Sequence, residues 1–399
     1  MLVKLKDIGK VVTGKTPSTK DPLNFISEVP FVTTVDLNNG FNMTHTERFI
    51  SNKGFNSIFN NTISGISVLV NCIGSDMGNV GITNMTCATN QQINAITNIK
   101  GFCNPYYLYY CLILKKDYMR TIAGETAVPI LSKSVFENIE IDLPSKDIQD
   151  KIVSILSNID NQIERNNAMT KRLQVLAQTT YSRWFNQFEF PNNEGKPYKS
   201  NGGELVYNKE LGKEIPIDWE VKTLGDLIKK VTPNFDYSSN LPTIDLSVMP
   251  SSSFMLNELN ESKNFTSNLF AMEKGNILFG SIRPYLKKAG IAPCNGVVAG
   301  TVHQYKEIDK DFYNFALMTM VQDSFFDYAL QVATGTKMPV VSSDNLLNYK
   351  VPFNKEIVKK FQDSFNLVGI TCNCVMQNQE LNKLKEKLLP LLINGQLNI

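Results

Sequence analysis

Two hydrophobic patterns alternate along the chain. In the first, apolar runs of strand length end in Gly, Asn or Ser: Ile66 to Val70, and Ile277 to Phe279. Thr33-Thr34-Val35 and Thr243-Ile244 read as strands too. Tyr106 to Leu114 and Phe312 to Val321 carry apolar residues round most of their circumference, as helices packed on a sheet do. In the second pattern, apolar residues recur at helical spacing over far longer stretches. Ser145 is the predicted N-cap of one such stretch. Ile148, Ile152, Ile155, Leu156, Ile159, Ile163, Leu173, Leu176 and Trp184 follow, with no Gly or Pro in residues 145–190. A helix of some forty residues would be about 60 Å long. The other stretch carries Ile357, Phe361, Phe365, Val368, Cys372, Val375, Leu381, Leu384, Leu388 and Leu392, with Gly369 and Pro390 its only breakers.

A long helix with one narrow apolar stripe must bury it, and each of these has the other as its natural partner. The order is globule, helix, globule, helix, which predicts an antiparallel helix pair with a globule at each end, related by a pseudo-two-fold axis. Asn166, Asn167 and Thr170 interrupt the first stripe, and Asn378 and Gln379 the second. They read equally as a polar layer that fixes register, or as a frayed, solvated turn.

The globules resemble each other. Leu5-Lys6-Asp7-Ile8 returns as Leu224-Gly225-Asp226-Leu227, and Ser67 to Ile73 as Asn276 to Ile282. Gly81-Ile82 returns as Gly290-Ile291, and Thr126 to Ser132 as Thr336 to Ser342. Four matches in one order, at offsets near 210, mark one domain written twice. The fold class is therefore α+β: two tandem domains at residues 1–144 and 218–354, with long helices at 145–190 and 355–399. Residues 191–217, rich in Asn, Gly, Lys and Glu, read as a surface connection with little core.

Composition narrows the function. The chain has 399 residues, 42% hydrophobic and 20% charged, enough for a core in each globule. No apolar run is long enough to span a membrane and no signal peptide is evident, so the cytoplasm is the expected location. The net charge is only +2, without the basic excess of a self-sufficient DNA-binding protein. Two His in different halves and seven Cys without paired metal spacing point to reduced, buried thiols and no zinc site. No phosphate-binding glycine loop or metalloprotease signature occurs. Asn104-Pro105-Tyr106-Tyr107 lacks the second Pro of a methyltransferase tetrapeptide and reads as a helix start. Carboxylates such as Asp36 and Glu47 form no group. The chain is expected to be no enzyme and to hold no metal or cofactor.

Two similar globules on a rigid spacer suit a bipartite ligand, and duplex DNA is the common one. The chain resembles the specificity subunit of a Type I restriction–modification system over essentially its whole length. The resemblance rests on Gly14-Lys15-Thr16-Pro17-Ser18, on Val68-Leu69-Val70 with Gly81-Ile82, and on Leu131-Ser132-Lys133 ahead of Ile139 to Pro144. Arg183-Trp184-Phe185, Tyr198 to Glu204, Leu211 to Pro216 and Leu388 to Gln396 carry the rest. It implies two target-recognition domains that read a split DNA sequence across an unread gap. It also implies assembly with two methyltransferase subunits, and with restriction subunits in a full complex. S-adenosylmethionine, ATP and Mg would belong to those partners. The second globule has Thr232-Pro233-Asn234-Phe235 instead of a second Gly-x-Thr-Pro-Ser, so roles at 14–18 do not transfer there.

Three loops per globule are the candidate DNA contacts. The first is Lys15, Thr16 and Ser18, whose charge and hydroxyls suit phosphates. The second follows the central strand: Asn71, Ser75 and Asn79 in one copy, and Ser281, Arg283, Tyr285, Lys287 and Lys288 in the other. Arg suits guanine and Asn adenine. The third comprises Thr126, Ser132 and Lys133, matched by Thr336, Lys337 and Ser342. Turn formation and solvation are the competing roles of these residues. Trp184, Phe185, Phe188 and Phe190, with Leu389, Leu391 and Ile393, exceed what one helix seam needs and are expected to dock the methyltransferase subunits. The rival readings are an unrecognised enzyme and a non-DNA scaffold that tethers two protein-binding globules.

Overall fold

The computed structural model describes residues 1–399 except 125–128, 237–239, 255, 257–258, 266–267 and 398–399. The chain forms two compact units, one of Met1–Asn161 with Asn382–Ile399 and one of Gln162–Leu381.

In the first unit, β1 (Leu2–Lys4), α1 (Leu5–Ile8), β2 (Lys10–Thr13), β3 (Val29–Val32), β4 (Arg48–Ile50), α2 (Asn52–Ser57), β5 (Thr62–Ile63), β6 (Ser67–Asn71), β7 (Val80–Thr83), β8 (Cys87–Thr89) and β9 (Ile93–Thr97) come first. Then come α3 (Pro105–Leu114), α4 (Lys116–Ala123), α5 (Lys133–Glu137), β10 (Glu140–Asp142) and α6 (Lys146–Tyr181). One sheet runs β2-β9-β6-β7 and is antiparallel throughout; a second runs β4-β3-β8-β5, with β3 and β8 parallel; β1 and β10 form a separate pair. β6 is buried on both faces. Val68 and Val70 pack with the tyrosines of α3, while Leu69, on the opposite face, packs with Val12 and Val32. A strand's period of two divides them so.

The second unit repeats this plan. Its strands are β11 (Leu205–Asn208) and β12 (Lys213–Pro216), then β13 (Glu220–Thr223), β14 (Ile228–Lys230), β15 (Pro242–Ile244), β16 (Asn260–Glu261), β17 (Leu269–Met272), β18 (Ile277–Gly280), β19 (Ala289–Ile291), β20 (Gly296–Ala299), β21 (Val302–Glu307) and β22 (Lys350–Phe353). Its helices are α7 (Tyr313–Met320), α8 (Asp323–Gln331), α9 (Ser343–Leu347), α10 (Lys355–Ser364) and α11 (Leu367–Ile393). The sheets run β14-β21-β18-β19 and β16-β15-β20-β17, with β15 and β20 parallel and β13 paired to β22. Strand for strand this is the order of the first unit. Ile277 and Phe279 face the helices and Leu278 the second sheet, as Val68, Val70 and Leu69 do. The internal repeat is thus present in topology as well as sequence.

Local chemistry sets the ends. Asn104 accepts from the amides of Tyr106 and Tyr107, and Pro105 opens α3, a standard cap and first-turn proline. Thr33 to Val35 is not a strand: β3 ends before it, and Asp36 accepts from both the amide and the hydroxyl of Thr33. The same carboxylate accepts from the Glu47 amide, so it serves a turn.

The expected stripes hold in part: Ile152, Leu156 and Ile159 of α6, and Ile357, Phe361, Cys372, Val375 and Leu392 of α10 and α11, are buried. In α6 the buried positions are Gln149, Ile152, Leu156, Ile159 and Asp160 in the first unit, then Asn166, Thr170, Gln174, Ala177 and Tyr181 in the second. Ile148, Ile155, Leu176 and, in α11, Leu384 are exposed. Five of the inward α6 positions are polar, so hydrophobicity alone shows only part of the face. Each is satisfied. Asn166 donates to Gln377 (2.9 Å) and Asn378 (2.8 Å), Asn378 donates to Asn167 (2.8 Å), and Thr170 donates to the Asn166 carbonyl. The polar layer is therefore paired and not frayed. With Tyr181 against Phe361 it also fixes the antiparallel sense of α6 against α10 and α11 in the second unit. In the first unit Asp160 bridges Lys385 and the Tyr110 hydroxyl, each at 2.6 Å.

The break in the second long helix falls at Phe365–Asn366, where Phe365 is extended and the Asn366 side chain accepts from the Gly369 amide. Gly369 is no breaker; a Cβ there would meet the Asn366 amide group at 2.5 Å. Pro390 lies within the last turns of α11.

The connection after α6 is better packed than its composition implies. Phe190 stacks on Tyr198 (4.6 Å) and Trp219 (5.1 Å), Ile215 is fully buried, and β11 and β12 form a hairpin. No described helix is long and apolar enough to cross a membrane. Cys72, Cys87, Cys103 and Cys111 are buried, and burial pushes each thiol up to about 12.

Candidate nucleic-acid interface

In each unit the structure gathers the three predicted loops at one end of the antiparallel sheet. In the first unit, Gly14 follows β2 and donates to Ile93, at the start of β9, while Thr16 donates to Gln91 at 2.7 Å. A side chain at Gly14 would collide with Thr89 and Asn90, so the loop passes tight against that turn. The next residue, Gln92, accepts from the Cys72 amide at the end of β6. Gly74 donates to the Pro129 carbonyl and Leu131 to that of Cys72, tying the second loop to the third. The second unit uses the same links. Val231 donates to Gln304, Ser281 to Thr301, Arg283 to Pro339, and Val341 back to Ser281.

Within this frame the candidates separate. Asn71 and Ser281 are 1% and 3% exposed, and each serves its own turn. Asn71 accepts from the Ile73 amide and Ser281 donates to the Thr301 carbonyl, so both are used inside the turn. Asn79 is committed too: it accepts from Lys116 (2.7 Å) and donates to Asn38 (3.1 Å). Ser132 and Ser342 are exposed but act as N-caps of α5 and α9. Lys133 pairs with Glu137, Lys287 with Asp323, and Lys288 donates to the Leu246 carbonyl. Lys15, Ser18, Ser75, Tyr285, Thr336 and Lys337 are exposed. Thr126 lies outside the described residues.

Arg283 stands apart. It is exposed, and its guanidinium has no hydrogen bond or ion pair among the described residues. Its φ is +53°, and Lys287, at the far end of the same short turn, has φ +51°. A non-glycine residue held left-handed costs on the order of 1–3 kcal/mol and tends to sit at functional sites. Here the strain projects a free Arg and a half-exposed Tyr285 from the loop tip.

Two basic residues escaped the sequence reading. Arg120 donates to the Ser75 carbonyl at 2.8 Å, and Lys116 grips Asn79. Both lie on α4 and add positive charge beside the second loop. Their signal was available, since Lys115, Lys116 and Arg120 cluster in sequence, but only the fold brings α4 to that loop. In the second unit, His303 holds the equivalent region, its ring nitrogen 3.0 Å from the Val341 carbonyl; burial lowers its pKa.

Much of the expected partner patch is buried. Phe185, Phe188 and Phe190 pack with Phe315, Phe361 and Trp219 in the second unit's core, and Leu389 is buried in that of the first. Trp184, Leu391 and Ile393 are partly exposed. Their aromatic and aliphatic excess seals the helix ends to the globules. Among the described residues, no group of three His, Cys, Asp or Glu is placed to hold a metal.

Residues 1–175 match the family model described as the Type I restriction modification DNA specificity domain. The Type I restriction enzyme MjaIX specificity subunit of Methanocaldococcus jannaschii is 28% identical, with 99% of this chain and 93% of that protein aligned. The HindI specificity subunit of Haemophilus influenzae is 35% identical over 40% of this chain and 36% of its own. The crystal structure of the Type I restriction–modification S subunit from M. genitalium has the same fold, with a TM-score of 0.56 at 13% identity over 100% of this chain and 96% of that one. From end to end, the chain is homologous to the specificity subunits of Type I restriction–modification systems.

Proposed function

We propose that this chain is the DNA-recognition subunit of a Type I restriction–modification complex. Each globular domain reads one half of a split target, and the long helices set the gap between the halves. The observation that carries this reading is the repeat of one loop arrangement at the same sheet end of two domains with different loop sequences. Two copies of one reading device with different tips suit two unlike half-sites. Arg283 is assigned to a base edge, and Lys15 and Lys337 to phosphates.

The chemistry belongs to partners. Two methyltransferase subunits would bring S-adenosylmethionine, and restriction subunits, where present, ATP and Mg. Since Phe185, Phe188 and Leu389 are core residues, docking is assigned to exposed apolar positions on α6, such as Met169, Val175 and Leu176. The cytoplasm is the location that such a complex requires. Neither globule carries a basic excess, so the chain alone should bind duplex DNA weakly; phosphate neutralisation supplies most nonspecific affinity.

Exchange of residues 1–144 for those of a relative tests the reading. One half of the methylated sequence should change while the other stays. An unchanged target would refute it.

A further inference from the structure

The first unit holds a cleft of about 350 Å³ beside the candidate interface, lined by Thr16, Phe25, Phe31, Arg48, Phe49 and Gln91 among others. Its volume is at the lower end of small-ligand sites, about 300–1,000 Å³. Phe25 is 40% and Phe49 38% exposed, unusual for phenylalanines that line a recess. The Arg48 guanidinium has no hydrogen bond or ion pair among the described residues, and the Gln91 amide nitrogen donates to none of them. Thr16, a predicted phosphate contact, donates to the Gln91 side-chain oxygen, so the cleft is continuous with the DNA loops.

Aromatic faces, a free guanidinium and a free amide are the set that takes a nucleotide. The ring stacks the base, Arg pairs with phosphate in a fork, and the amide reads a base edge. A base inside a duplex already has both faces stacked. Only an unpaired base can use Phe25 or Phe49. We infer that this cleft receives a single nucleotide extruded from the duplex bound by the first domain. The inference rests on the DNA reading proposed above.

The second unit supplies an internal control. On β3 and β4, Phe31 lies opposite Arg48 and Pro30 opposite Phe49. The equivalent ladder of β15 and β16 sets Thr243 opposite Asn260 and Pro242 opposite Glu261. The strands correspond, because Phe31 and Thr243 both also pair with the parallel neighbour, β8 or β20. Where the first unit has Arg and Phe, the second has Asn260, committed to Asp245, and Glu261, paired with Lys263. A carboxylate there repels phosphate, so the pocket belongs to one domain alone.

The test uses the full-length chain assembled with its methyltransferase subunits, the form expected to bind DNA tightly. Its probes are a short duplex with one bulged 2-aminopurine and the same duplex fully paired, each read by fluorescence anisotropy. Stacking one base on an aromatic ring changes affinity by about 5- to 150-fold. Wild type should prefer the bulged duplex by about tenfold, with quenched 2-aminopurine emission. Phe49→Ala should remove the preference and the quenching, Phe49→Tyr should keep both, and Arg48→Gln should weaken the preference. Asn260→Ala with Glu261→Ala should leave it intact. Equal binding of both duplexes by wild type, or a preference that survives Phe49→Ala in a protein with wild-type circular dichroism, overturns the inference alone. Folded wild type that binds neither duplex overturns the DNA reading as well.

Discussion

Replacement of Lys385 by Met should cost the first unit about 3–5 kcal/mol, because it strands a buried charge. Asp160 and Lys385 are 8% and 18% exposed in their side chains and meet at 2.6 Å. The other Asp160 oxygen accepts from the Tyr110 hydroxyl at 2.6 Å, and the Lys385 ammonium lies 5.5 Å from the Tyr110 ring centre. Burial, then the Asp160 charge, holds the Tyr110 phenol well above its ordinary pKa, so it stays a donor. Lys385→Met keeps the aliphatic stem and removes only the ammonium. The carboxylate is then left with one neutral hydrogen bond in a site too dry to solvate it. Asp160→Asn on top of Lys385→Met removes the stranded charge but keeps an acceptor for Tyr110, so it should recover most of the loss. For a unit of this size, roughly 2–4 °C accompanies each kcal/mol. The thermal transition of the first unit, followed by circular dichroism, should therefore fall by roughly 6–20 °C in the single variant and by far less in the double. A single variant within about 1 kcal/mol of wild type, or a double variant worse than the single, would show that no buried charge depends on Lys385.

Other expectations concern the interface and its support. Arg283→Gln should cost about 1–3 kcal/mol of DNA affinity in the assembled methyltransferase and relax specificity at one position of the second half-site; loss spread evenly over all sequences would make it a phosphate contact instead. Asn166→Leu should leave Asn378 without its buried donor and destabilise the second unit by about 1–3 kcal/mol, read as a lower urea midpoint; no change would mean the layer is solvated. His303 has a depressed pKa, so the unfolded chain binds its proton more readily than the folded one. Its contribution is complete above the ordinary value of 6.5 and declines as pH falls from there through the folded pKa. His303→Gln should flatten that slope in urea melts between pH 7.5 and 5.5, and an unaltered slope would place the titration elsewhere. The purified chain should bind duplex DNA weakly, with tight binding only in the assembled methyltransferase; strong salt-sensitive binding by the chain alone would contradict that.

Much of the architecture could be read before any coordinates, because repeats and helical periods survive divergence. Val68-Leu69-Val70 and Ile277-Leu278-Phe279 announce central strands, and both are buried on two faces. The face of α6 was harder. Gln149, Asp160, Asn166, Thr170 and Gln174 point inward and are satisfied there, while Leu176 points out, so an apolar count finds Ile152, Leu156 and Ile159 but only part of the stripe. The helix break at Phe365 depends on an Asn cap and an extended backbone, which Gly369 obscured. The three candidate loops converge at one sheet end, but sequence alone could not rank their residues. An Asn or Ser near a turn is equally a contact or a cap, and only burial separates Asn71 and Ser281 from Arg283. The cleft at Arg48 and Phe49 left no motif, since its walls come from β3, β4 and two distant loops.

On the proposed function, the two globules read separate halves of one DNA target. The most direct measurement of this is the methylated sequence in cells that carry this chain with residues 1–144 exchanged for a relative's. The chimera should show a new first half, an unchanged second half and the same gap. A target unchanged in both halves, or altered in both, would contradict it.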